Sequence, residues 1–388
     1  MGVRWCALYL TIAPKNAITI GLLAPADYTF AVHLFGVSIS MTPVDPSIEA
    51  RRNRIMAAWL FVVAVMVFAM VVLGGVTRLT HSGLSMVEWR PLTGWLPPFT
   101  EAEWQLTFDK YKQFPEFQKI NQDMTLAGFQ GIFWLEFLHR LWGRIIGLAF
   151  FLPFVFFLVR GWAGRGLSIK FAFMFVLGGL QGVMGWYMVK SGLVDRPDVS
   201  QYRLAAHLML ALVIYAYLLW VGIELWRNRQ FPSARRELTV PTAMLTTLVF
   251  VTAFSGALVA GLDAGLTYNT FPLMDGDFIP EGMFEMTPAY INFFENITTV
   301  QFDHRILAET TLIGVIVLWL YGRNLGAGGA LRTALNWLAL LVLAQVALGI
   351  STLLLVVPVP LAAAHQAGAV IVLGAAVWVL REAHGSRD

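Results

Sequence analysis

Met56-Ala-Ala-Trp-Leu-Phe-Val-Val-Ala-Val-Met-Val-Phe-Ala-Met-Val-Val-Leu-Gly-Gly-Val76 contains no charged residue. A bilayer core takes about 20 apolar residues per helix, so this stretch reads as a membrane span. Seven more runs of the same kind follow, at about 138–159, 170–190, 204–226, 241–261, 305–322, 334–357 and 362–380. The chain of 388 residues is 57% hydrophobic and only 13% charged, with a mean hydropathy of +0.66. A soluble domain carries roughly 25% charged residues, so a soluble globule is excluded. A membrane β-barrel would show segments of about 10 residues alternating in polarity, and none does. The expected fold is an all-α integral membrane protein with eight transmembrane helices.

The basic residues set a direction. Arg51, Arg52 and Arg54 precede the first span, Arg160, Arg165 and Lys170 lie between the second and third, and Arg227, Arg229, Arg235 and Arg236 between the fourth and fifth. Residues 263–300 carry six carboxylates and no Lys or Arg. The positive-inside rule then puts both termini in the cytoplasm. The net charge of +3 gives no nucleic-acid footprint, because the cations sit in loops and form no basic face. The single cysteine, Cys6, excludes an intrachain disulfide and a thiolate cluster.

Residues 1–40 fit the rest poorly, since the polar, basic stretch from Met41 to Arg54 reads as an ordinary cytoplasmic start. An over-extended start is the plainer expectation, and a targeting segment with an apolar region near Ala17–Ala24 is the other. His33 falls in this region and is set aside. The outer loop at about 77–131 is rich in Trp and Pro, and its piece Glu101–Asp123 carries Trp104, Phe108, Tyr111 and Phe117 among charges. Amphipathic packing and simple aromatic anchoring at the interface both fit that pattern.

An internal repeat organises the spans. Gly74 to Ser85 aligns without a gap on Gly256 to Thr267, and His139-Arg140 matches His304-Arg305. Gln181-Gly182-Val183-Met184-Gly185 matches Gln345-Val346-Ala347-Leu348-Gly349, and Ala205-Ala206-His207 matches Ala363-Ala364-His365. The expectation is two four-helix bundles, residues 55–230 and 231–381, between a cytoplasmic segment 1–54 and a tail 382–388. An even number of spans per half makes the repeats parallel, so equivalent residues share one depth. All four histidines fall at span starts on the outer side.

Neutral imidazole is a good axial ligand for iron, and a bundle can clamp a flat macrocycle with one histidine from each of two facing helices. His139 with His207, and His304 with His365, form two such pairs. A lone histidine at a helix end is ordinarily an interfacial, hydrogen-bonded residue, but four of them paired by a repeat favour haem. Zinc wants three or four clustered protein ligands, and each half offers two. Small residues such as Ala205, Ala206, Ala363, Ala364, Gly368 and Gly185 would let a macrocycle approach, or serve plain helix packing. Arg140 and Arg305 suit carboxylates such as haem propionates, with snorkelling to the interface as the bland alternative. Glu136, at i−3 and i−4 from His139 and Arg140, is either an intrahelical ion pair or a carboxylate poised to handle protons beside iron. The second half carries Gln301 at that position, which cannot titrate. Asn269 to Gly276 is expected to cap the second pocket, His81 and His384 to be surface residues, and Asn296-Ile297-Thr298 to be a chance sequon.

Taken together, Gly74-Gly-Val-Thr-Arg-Leu-Thr80, Ser82-Gly-Leu-Ser85, Glu136-Phe-Leu-His-Arg140, Asn269-Thr-Phe-Pro-Leu-Met-Asp-Gly276, Phe302-Asp-His-Arg305 and the two Ala-His helices resemble the haem A synthase family over about residues 50–380. The resemblance implies an inner-membrane enzyme that oxidises the C8 methyl of haem O to a formyl group for terminal oxidases, by successive hydroxylations and loss of water. It implies that His304 and His365 ligate a resident haem b, that His139 and His207 face the substrate haem O, and that Glu136 is the catalytic carboxylate. It also implies a haem O synthase as supplier and an electron donor that the sequence does not identify, and leaves a homo-oligomer open. Some bacterial members carry cysteine pairs in outer loops, and this chain has none there, which is similar to the alphaproteobacterial and mitochondrial branch. The rival readings are a di-haem b cytochrome fed by quinol and a repeat-built transporter.

Overall fold

The computed structural model describes residues 45–89, 93–192 and 199–385, together with the backbone of four short strands before residue 41. Cys6 and Met41 lie outside the described residues. The strands form two antiparallel hairpins, Leu8–Ile12 with Ile18–Leu22 and Ala31–Leu34 with Val37–Ser40. Among the described residues from 45 onward the regular structure is helical, and eight of these helices are long and apolar enough to cross a membrane.

In chain order the helices are α1 (Pro46–Leu79), α2 (Glu101–Tyr111), α3 (Pro115–Lys119), α4 (Leu126–Val159), α5 (Arg165–Gly192) and α6 (Gln201–Trp226). They continue with α7 (Thr239–Gly261), α8 (Asn292–Glu295), α9 (Ile297–Asn324), α10 (Gly329–Leu354) and α11 (Val359–His384). Several exceed the apolar runs that announce them. α1 starts ten residues early because Asp45 caps it, accepting from the Ser47 N–H at 2.8 Å, with Pro46 at the first helical position. α4 starts at Leu126, twelve residues before its apolar run at 138, because a second small core holds its first turns. Phe129, Phe133 and Phe137, spaced by four residues, share one face and are buried with Trp104, Phe108 and Tyr111 of α2. Phe108 stacks on Phe129 at 5.0 Å and Trp104 meets Phe133 edge-on at 4.9 Å. The amphipathic-packing reading of Glu101–Asp123 is therefore the one realised. A reciprocal cap starts α2, with Thr100 Oγ1 accepting from the Glu103 N–H and the Glu103 carboxylate accepting from the Phe99 and Thr100 N–H groups. Those backbone donors hold the Glu103 carboxyl below its usual range.

α1 packs on α4 and α6, and α5 packs on α6. In the same way α7 packs on α9 and α11, and α10 on α11. α1, α6, α7 and α11 meet in the middle, where Met56, Leu60, Leu218, Leu373 and Val379 are fully enclosed. α9 and α10 lie along one another, whereas α4 and α5 touch sparingly. On the end opposite the two long loops, ion pairs knit the centre: Arg227 donates twice to Glu382, at 2.6 and 2.9 Å, and Lys170 to Glu224 at 3.0 Å. Glu382 is 1% exposed. Glu382→Ala leaves Arg227 without its carboxylate, and with Arg227 one-third exposed the expected loss is about 2 kcal/mol, below the usual figure for a fully buried pair. Thermal unfolding in detergent measures it.

Candidate haem sites

All four histidines sit in the first half of helices that start from the long-loop end: His139 on α4, His207 on α6, His304 on α9 and His365 on α11. Each imidazole lies against a glycine of the neighbouring helix. A Cβ on Gly74 would stand 2.9 Å from His139 Cε1, on Gly256 3.0 Å from His304 Cε1, on Gly185 3.2 Å from His207 Cε1, and on Gly349 2.8 Å from His365 Cε1. These glycines occupy matched positions in the repeat, so one packing device appears four times. Gly349→Ala should push the His365 ring aside and lower haem occupancy several-fold, read as haem absorbance per protein.

His304 and His365 face one another with ring centroids 6.4 Å apart and planes at 89°. Two imidazoles bound across one metal at about 2 Å per bond, each ring adding about 1.2 Å from nitrogen to centroid, stand about 6.4 Å apart. The centroid spacing of the pair is therefore that of a bis-imidazole iron site. Both rings are tethered. Ser255 Oγ donates its single proton to Thr252 O at 2.8 Å and lies 2.8 Å from His304 Nδ1, so it accepts the Nδ1 proton and leaves Nε2 bare for a metal. The Gln345 amide nitrogen lies 3.1 Å from His365 Nδ1 and donates to His365 O at 2.9 Å. An acceptor at Nδ1, as Ser255 is for His304, is the kind of partner that orients a metal-binding imidazole. In the other pair, His139 Nδ1 is buried without a partner among the described residues, because Leu73 stands where the second half has Ser255. The Gln181 amide nitrogen lies 3.3 Å from both ring nitrogens of His207.

Glu136 and Arg140 form the intrahelical ion pair, both side chains almost wholly buried. The same groups also staple a loop. Glu136 Oε2 accepts from Ser85 Oγ and from the Met86 N–H, each at 2.7 Å. Arg140 donates to Met86 O at 2.8 Å and Glu88 O at 3.0 Å, and lies 4.8 Å over the Trp89 ring. Arg305 donates to Tyr268 O and Thr270 O, each at 2.9 Å, and those residues stand where the alignment of Ser85 on Thr267 puts Met86 and Glu88. The exchange of Glu136 for Gln301 inverts one contact. The carboxylate takes the Met86 N–H, whereas Gln301 Nε2 donates to Tyr268 O at 3.0 Å.

Asn269 ties its loop to the end of α10, donating through Nδ2 to Gly265 O at 2.8 Å and to Leu353 O at 3.0 Å. Asp275 and Gly276 turn it back with φ of 52° and 101°. Asn296 caps α9 and donates its amide to Gly282 O at 2.8 Å, so the sequon is structural. His81 is exposed, while His384 is half-buried with its ring 5.8 Å from Trp220, a correction to its placement at the surface.

Comparison with known sequences shows the family. A family described as Cytochrome oxidase assembly protein (COX15-CtaA) matches residues 57–377. The chain belongs to this family. It is 54% identical over 349 residues to the haem A synthase of Nitrosospira multiformis, covering 89% of this chain and 98% of that one. It is 52% identical to the haem A synthase of Parvibaculum lavamentivorans, with 84% and 94% covered. It is 46% identical to the haem A synthase COX15 of Homo sapiens, with 85% and 83% covered. The match therefore spans the eight helices in both bacterial and mitochondrial relatives.

Proposed function

We propose that this chain converts haem O to haem A and that its two halves, residues 55–230 and 231–381, divide the work. Family membership and the near-complete span of the haem A synthases it matches support the reaction: the C8 methyl of haem O is hydroxylated twice and loses water to leave a formyl group. The halves are read as parallel repeats with both termini cytoplasmic and the histidines towards the outer face of the inner membrane. The division of labour rests on one observation, that His304 and His365 are tethered and face each other at ligand spacing while His139 Nδ1 is unpartnered.

His304 and His365 hold a resident haem b, and Ser255 and Gln345 keep their rings oriented. Bound there, haem b supplies one-electron transfer. His139 and His207 receive the substrate haem O, which has to enter and leave. The sparse packing of α4 on α5, with Gly178, Gly179 and Gly182 facing open space, suits exchange with the bilayer. Glu136 lies one turn before His139 and handles protons there, with Arg140 holding its Oε1. Arg140 and Arg305 act first as loop anchors, and Arg305 would also pair with a haem propionate. The supplier is a haem O synthase, and electrons arrive from a separate donor.

Cells that make haem O but lack their own haem A activity test the reaction. Expression of this chain should yield haem A on extraction and chromatography. Two equivalents of haem b, with neither haem O nor haem A, would point to an electron-transfer cytochrome, and no bound haem to a transporter.

A further inference from the structure

We infer that the cavity at the long-loop end of the first half seats a carboxylate arm of the exchanging haem, with Lys190 as its counter-ion. The inference rests on the reading of residues 55–230 as the substrate half. The cavity measures about 90 Å³ and lies between the 86–89 loop, α4 and the end of α5, lined by Met86, Val87, Trp89, Arg140, Trp186 and Lys190. Two of its lining residues neighbour the histidine sites along the chain: Arg140 follows His139, and Trp186 follows Gly185, which packs on His207. A volume of about 90 Å³ suits a propionate arm and not a whole macrocycle.

Its two cations differ. The Arg140 guanidinium is committed to Glu136, Met86 O and Glu88 O. Lys190 is exposed, rests its Nζ 5.0 Å from the centre of the Trp186 ring, and makes no ion pair among the described residues. An ammonium on a flexible stem at the rim of a cavity is available to an incoming carboxylate.

The second half shows what a closed version of this corner looks like. The alignment of Gln181–Gly185 on Gln345–Gly349 puts Val189 and Lys190 on Leu353 and Leu354, and the loop alignment puts Val87 on Asn269. Asn269 stitches its loop to the end of α10 through Leu353 O, and an apolar Leu354 stands where Lys190 would be. Val87 has no side-chain donor, so among the described residues the 86–89 loop is not stitched to α5 in this way. The opening and the cation occur together, in the half that has to admit and release its haem.

The test uses the full chain in detergent with its resident haem bound, titrated with haemin and with haemin dimethyl ester, whose carboxylates are capped. Binding is followed by difference absorbance. Lys190→Gln should weaken haemin binding about five- to tenfold, as loss of a charge-assisted contact at a half-open site does, and leave the diester unchanged. Lys190→Arg should keep the wild-type preference, and unchanged resident-haem absorbance reports an intact fold. Val87→Asn combined with Lys190→Leu should slow haemin entry as the corner closes. Equal weakening of both ligands by Lys190→Gln, or of neither, overturns the role of Lys190. Failure of haemin to bind the wild type, or equal binding to a His139→Ala/His207→Ala variant, overturns the substrate-half reading on which it rests.

Discussion

Glu136→Gln abolishes haem A formation while the resident haem b stays bound. Glu136 is 3% exposed and its two oxygens accept from Ser85, Met86 and Arg140. Ala at this position leaves Arg140 buried without its counter-ion, which costs about 3–5 kcal/mol, and it frees the 85–88 loop. Loss of activity in the Ala variant would therefore mix chemistry with structure. The Gln variant separates them, because the second half already shows the amide solution: Gln301 donates to Tyr268 O while Arg305 holds the same carbonyl. An amide side chain at position 136 can donate to Met86 O in the same manner and keep the loop in place. It cannot titrate, so a proton-handling role predicts a fall of about 100-fold or more in haem A yield. Wild-type haem A yield from Glu136→Gln would reduce Glu136 to a loop anchor.

His304→Ala and His365→Ala each remove the haem b absorbance, and His139→Ala does not. The first two take away one of two facing ligands at a site whose ring spacing matches a bound iron. Ser255→Ala should act in the same direction more weakly. It leaves His304 Nδ1 as unpartnered as His139 Nδ1 now is, and loss of such an orienting partner lowers metal affinity about 10- to 100-fold. Haem-to-protein ratio after purification measures all four variants.

The eight spans were legible because a bilayer demands long uncharged runs, and the four histidines because the repeat matched them in pairs. The extensions of α1 and α4 were not, since they depend on an Asp45 cap and on an aromatic core lying outside any apolar run. The glycines under the rings were visible in the repeat as matched pairs, Gly74 with Gly256 and Gly185 with Gly349. Their purpose was hidden, because a missing Cβ has meaning only against a particular neighbour. Gln181 and Gln345 were matched in the same way without a role. Ser255 carried no such signal, as its counterpart is Leu73, and that mismatch is itself the asymmetry between the sites. By residue type Arg140 and Arg305 suit propionates or snorkelling to the interface. Their anchoring of loop carbonyls could not be foreseen, because a backbone acceptor leaves no mark on a residue pattern.

The central claim, one holding half and one reacting half, is tested most directly by the haem content of His139→Ala co-expressed with a haem O synthase. Extraction and chromatography of the purified variant should give one equivalent of haem b, with neither haem O nor haem A. Retention of haem O with loss of haem b would contradict the assignment and exchange the roles of the two sites.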